Sequence, residues 1–230
     1  MRARRFIAIV LAAVLPAVLT ACGGSSSHGL AARGPETIVG AAIRAIDGVR
    51  SVRVTGSVND ASPRDEIRFT LDLVNGRGAT GSLSERGLAF RLVTLGHVAY
   101  VRGTPAFWKQ FGGATLATHL HGRWLRAPAD HGQFASFAAL TNVHRLLAGL
   151  LAGHGALTKG TTGMLDGHHV IAVHDASRQG TLYVSTRGPA YPIRIENASS
   201  DAGHIDFSRF NAPVRLRVPA HAVSLSHLHG

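Results

Sequence analysis

The chain has 230 residues, one cysteine and a formal net charge of +11, which suits one domain with a sizeable core and excludes a disulfide-stapled scaffold. The charge is not the footprint of a nucleic-acid binder. Its arginines are scattered, no basic run follows Arg5, and arginine outnumbers lysine 22 to 2, as a GC-rich coding sequence would give. At most it favours anionic lipid headgroups mildly.

Arg2, Arg4 and Arg5 form a basic start, and an apolar run from Phe6 to Leu19 follows it. Leu19-Thr20-Ala21-Cys22 then brings small residues up to the cysteine, and Gly23-Gly24-Ser25 comes after. Charge, short apolar run and small-residue cleavage site, in that order, read as a secretory signal over residues 1–21. The run is short of the roughly 20 residues of a membrane span and contains Pro16. The four residues ending in Cys22 resemble the bacterial lipobox. That resemblance implies acylation of Cys22, with palmitate or a similar chain, and a mature protein held at the extracytoplasmic face of the cell membrane. Acylation would also account for a lone cysteine in an exported chain.

Residues 22–34, rich in Gly, Ser and Ala, read as a flexible tether, and residues 35–230 as one domain. Pro35-Glu36 opens a helix carrying Val39, Ile43 and Ile46 on one face, and Gly48 ends it. The period then changes from 3.6 to 2. Val52, Val54 and Val58, and next Ile67, Phe69, Leu71 and Leu73, alternate with polar residues as half-buried strands do. Asn75-Gly76 predicts a type I′ hairpin turn. Strands bearing Leu83, Leu88, Phe90 and Leu92 follow, then one with Val98 and Tyr100 after a turn at Leu95-Gly96. Residues 105–111 (PAFWKQF) predict a short helix, residues 122–128 an extended piece with Trp124, and Gln133–Leu151 a long helix with a wide apolar face. Further strands are expected at 170–173, 181–185, 191–196, 205–210 and 214–218.

Candidate chemistry is thin. Residues 76–81 satisfy G-x-G-x-x-G, but they sit in a hairpin with no helix after them, so no dinucleotide cofactor is expected. The pairs His119/His121, His168/His169 with His174, and His227/His229 fall short of a zinc ligand set, and no metal is expected. His144 reads as a core or cavity histidine. There is no G-x-S-x-G elbow and no suggestively spaced carboxylate pair, so the sequence does not read as an enzyme.

Several pieces, taken in order, resemble the actinobacterial lipoprotein family of LppX, LprA, LprF and LprG, itself related in fold to the LolA and LolB carriers. They are residues 43–58 (IRAIDGVRSVRVTGSV), 99–103 (AYVRG), 122–128 (GRWLRAP), 164–173 (MLDGHHVIAV), 180–185 (GTLYVS), 191–196 (YPIRIE) and 206–219 (DFSRFNAPVRLRVP). The resemblance implies an α+β fold: a strongly curved antiparallel half-barrel with helices across its concave face. It also implies an apolar cavity holding lipid or lipoglycan cargo, and an envelope transporter as partner. From the residues alone, the clustered aromatic and aliphatic side chains suit a dry core as well as a cavity. The resemblance implies the cavity, lined by Phe90, Tyr100, Phe107, Trp108, Phe111, Trp124, Phe137, Leu140, Leu147 and Leu151. The alternative is an envelope scaffold or sensor with a filled core and no cargo.

Overall fold

The structure is a computed structural model, and it describes residues 27–59, 66–130, 154–177, 179–197 and 203–228. Cys22, His144 and the expected helix Gln133–Leu151 lie outside the described residues.

Twelve strands form one sheet. In chain order they are β1 (Ser51–Asn59), β2 (Glu66–Val74), β3 (Gly78–Glu85), β4 (Leu88–Leu95), β5 (Val98–Gly103), β6 (Leu125–Pro128), β7 (Leu157–Leu165), β8 (His168–Asp175), β9 (Gly180–Ser185), β10 (Pro192–Asn197), β11 (Gly203–Ser208) and β12 (Val223–Ser224). Across the sheet the order is β12-β6-β5-β4-β3-β2-β1-β11-β10-β9-β8-β7. Every neighbouring pair is antiparallel except β12 with β6. Among the described residues three α-helices accompany it: α1 (Ser27–Ala31), α2 (Pro35–Asp47) and α3 (Pro105–His119).

Because strand side chains alternate, register sorts the sheet into an apolar and a polar face. Across β1–β4 one row reads Val54, Leu71, Gly81 and Leu92, and the next reads Thr55, Thr70, Ser82 and Arg91. On the apolar face α2 buries Ile38, Val39, Ala42 and Ile46. It packs against β7, β8 and β9, yet Val52, Leu73 and Ala79 of β1, β2 and β3 belong to the same core. From β3 to β8 is six interstrand steps, about 29 Å if flat, whereas a helix is about 10–12 Å across. The sheet must therefore curl around α2, and the apolar face is the concave one.

Glycine permits some of this curvature. Gly81 faces Leu71 across β2–β3, and a Cβ there would overlap the Thr70 carbonyl oxygen. The strand turns differ from expectation in one place. At Asn75-Gly76 only Gly76 has positive φ (68°), and Arg77 N–H donates to the Val74 carbonyl at 3.0 Å, so this is a three-residue connection and not a type I′ turn. The backbone geometry of that turn type, positive φ at both central residues, occurs instead at Arg86-Gly87 and Asp166-Gly167.

Residues 214–218 form no strand; their alternation of Val, Leu and Val with arginine is not paired to the sheet, and the last strand is the short β12 farther on. β7 was not anticipated, because its residues (LTKGTTGML) are mostly polar and exposed, as suits an edge strand with a bulge between Lys159 and Thr162. Within the stretch expected as a tether, residues 27–31 form α1: Leu30 packs on the core, and Lys159 Nζ donates to the Ala31 carbonyl at 3.2 Å. Among the described residues no helix is long and apolar enough to cross a membrane.

Candidate functional site

Among the described residues two separate cores occupy the concave face. The larger lies under α2. The smaller lies under α3 and comprises Leu92, Ala99, Val101, Trp108, Leu120, Leu125, Ala127 and Ala129. α3 is placed by its own sequence. Thr104 caps it, accepting from Phe107 N–H at 3.3 Å, and Pro105 takes the first turn. Gly112 and Gly113 then leave helical geometry, which kinks the helix just after the aromatic segment.

That segment presents a linked set of rings. Phe107 lies 5.0 Å from Phe90 of β4, 4.9 Å from Trp108 and 5.3 Å from Phe111. Trp108 is fully buried, and among the described residues its indole N–H has no hydrogen-bond partner. Phe90, Phe107 and Phe111 are only half-buried and form the margin of the smaller core.

Between the two cores runs an apolar strip. Val58↔Ile67↔Glu85↔Leu88 and Gly56↔Phe69↔Leu83↔Phe90 are successive cross-strand rows of the concave face, with Ile205 joining from β11. Phe69 and Ile205 edge the larger core and Phe90 the smaller, while Ile67, Leu83 and Leu88 belong to neither. All six side chains stay half-exposed, although Leu73, Val52 and Val101 on the same face are fully buried. Gly56 keeps the floor low: a Cβ there would lie 2.8 Å from Phe69 Cζ, so the tip of the Phe69 ring reaches over it. The arrangement offers apolar contact, with no charged group in its central row.

Of the residues expected to line a cavity, Phe90, Phe107, Trp108 and Phe111 come together at one margin of this strip. Trp124 precedes β6, half-buried, and its carbonyl accepts from Val223 N–H at 2.7 Å. Tyr100 is a correction. It pairs with Val93 and Arg126 on the opposite face from Phe90, because Phe90 is in register with Gly103, three residues along the strand. Phe137, Leu140, Leu147 and Leu151 lie outside the described residues. The strip residues Ile67, Phe69, Leu83, Leu88 and Ile205 were legible as strand positions. What marks them as a site is their place midway between two helices, which only register shows.

The polar face holds an ion-pair network. Arg194 binds Asp206, reaches Asp166 at 2.8 Å and Glu196 at 3.4 Å, and Tyr183 O–H donates to Glu196 at 3.1 Å. Burial first, then that hydrogen bond, pushes the Tyr183 phenol above its ordinary value. Arg53 forks onto Asp72 through bonds of 2.8 and 2.7 Å. Of the histidines singled out, His168 and His169 are successive in β8 and so face opposite ways, His174 meets Thr181 Oγ1 at 2.9 Å, and His119 meets the Thr115 carbonyl at 2.9 Å, while His229 lies outside the described residues.

This curled sheet with helices on its concave face superimposes on LprF from Mycobacterium bovis with a TM-score of 0.52, over 81% of this chain and 97% of that one, at 16% identity. The chain has the LprF fold. LppX from Mycobacterium tuberculosis, described as a lipoprotein, matches at 18% identity and TM-score 0.49, over 83% of this chain and 99% of that one. A LolA-superfamily protein from Nitrosomonas europaea matches at 11% identity and TM-score 0.25, over 82% and 96%. No family model and no curated protein sequence matches. The half-barrel with helices on its concave side, expected from the resemblance, is thus the observed fold.

Proposed function

We propose that the chain is a cell-envelope lipoprotein, anchored through acylated Cys22, that binds or transfers lipid by taking acyl chains onto the strip between α2 and α3. One observation carries the reading: two packed cores share the concave face, and the apolar row through Phe69, Leu83 and Phe90 between them is left half-exposed. Each methylene buried there would gain about 0.8 kcal/mol relative to water, enough in sum to hold long chains while they cross an aqueous space. The connection between β6 and β7 links the strand next to one edge of the sheet with the opposite edge strand and contains the expected helix Gln133–Leu151, whose apolar face would supply the opposite wall. Residues 1–21 and the lipobox-like ending at Cys22 support an exported, lipid-anchored location.

The test is mass spectrometry of organic extracts from protein purified without detergent. A co-purifying lipid of defined class in near-equal amount is the expected result. Lipid-free protein that also fails to take up a fluorescent acyl probe would overturn the proposal in favour of a scaffold or sensor.

A further inference from the structure

We infer that the groove between α1–α2 and the loop after β9 is a docking site for the phosphate-bearing headgroup of an anionic phospholipid, seating the domain on the membrane to which Cys22 would tether it; the membrane source of the headgroup rests on that anchoring reading. The groove measures about 540 Å³, and Arg33, Arg44, Thr37, Thr186, Leu30 and Pro189 are among its lining residues. Two guanidinium groups and two hydroxyls suit a phosphodiester, and among the described residues no acidic side chain lines the groove. Leu30 and Pro189 give it an apolar border of the kind a glycerol backbone and its first methylenes would contact.

Arg53, Arg68 and Arg194 are each paired to carboxylates, whereas among the described residues Arg33 and Arg44 enter no ion pair. Arg44 is also positioned. Its Nη1 lies 3.3 Å from the point where a Cβ on Gly40 would sit, so the side chain folds back one turn along α2 over a residue that leaves it room. The opposite wall is held in shape by Ser185 Oγ donating to the Arg187 carbonyl at 2.8 Å and by Thr186 N–H donating to His169 at 2.8 Å. Lys159, bonded to the end of α1, adds a third positive charge beside the groove.

Position supplies the second argument. Gly29 lines the groove and is seven residues beyond Cys22, so even a fully extended chain puts the groove within about 25 Å of an acylated cysteine. A basic site so close to the bilayer meets its phosphates at high local concentration.

The experiment is calorimetric titration of the full chain, held in non-ionic detergent, with dihexanoyl phosphatidylglycerol, dihexanoyl phosphatidylcholine and inorganic phosphate. The phosphatidylglycerol should bind roughly tenfold or more tightly than the other two, and Arg33→Gln/Arg44→Gln should remove that preference while leaving the melting temperature unchanged. Equal binding of inorganic phosphate would overturn membrane docking and make the groove a site for a soluble phosphate. An unaltered preference in the double variant would overturn the site itself. Uptake of a fluorescent acyl probe, measured on both proteins, keeps the two proposals apart. The arginine variant should retain it, and a wild type that lacks it fails the acyl-binding reading while leaving the headgroup result standing.

Discussion

Phe107 rests its ring directly on Gly103: a Cβ added at Gly103 would overlap Cδ1 of Phe107 and lie 2.9 Å from its Cγ. Gly103 has no left-handed backbone to maintain, so its small size serves the ring alone. It is also the cross-strand partner of Phe90, whose ring centroid is 5.0 Å from that of Phe107. Gly103→Ala should therefore lift Phe107 off Phe90 and cost about 1–3 kcal/mol, as overpacking does. Thermal melts measure this. Adding Phe107→Leu should recover part of the loss, because the two positions are coupled through one contact.

Much of this fold was legible because its signals are local. Pro35 and the apolar spacing of α2, the period-2 runs of β1–β5, and the start of α3 at Pro105 each follow from a few neighbouring residues. Signals failed where pairing decides the outcome. Residues 214–218 alternate like a strand and have no partner, while β7 alternates poorly and is ordered by β8. The site was half legible for the same reason. Aromatic clustering points to Phe107, Trp108 and Phe111, but the placement of Tyr100 on the other face depends on its register with Val93.

Cys22 gives a prediction independent of the strip. If its thiol is the acylation point, Cys22→Ala should abolish incorporation of labelled palmitate and leave residues 1–21 uncleaved at this position or yield a soluble form. Intact mass of the purified wild type is the complementary check: an unmodified Cys22 with residues 1–21 still attached would reject anchoring.

On the polar face, Tyr183 makes stability depend on alkaline pH. The unfolded phenol loses its proton near its ordinary value of 10.0, while the folded one, partly buried and donating to Glu196, holds it to higher pH. The folded state thus binds more protons in that window, so this increment of stability is complete below about pH 10 and is lost as pH rises through the folded value. Tyr183→Phe should cost about 0.5–1.5 kcal/mol at neutral pH through the lost hydrogen bond. Its urea midpoint should also fall less steeply than that of the wild type above about pH 10.

Leu83 separates binding from folding. It lies between Phe69 and Phe90 in the cross-strand row, half-exposed, and belongs to neither core, whereas Leu73 on the neighbouring strand is fully buried. Leu73→Ala should cost about 2–5 kcal/mol of stability, the range for a core leucine, and leave the acyl affinity of the folded fraction unchanged. Leu83→Trp should do the reverse. An indole filling the space of two or three methylenes takes about 2 kcal/mol from acyl binding, roughly a thirtyfold weaker Kd, while stability shifts by no more than about 0.5 kcal/mol, as at a surface position. Denaturant midpoints and a fluorescent-lipid titration on the two variants read both quantities. A Leu83→Trp protein destabilised by about 1–3 kcal/mol with unchanged lipid binding would mean that the strip is packed core and that acyl chains bind elsewhere.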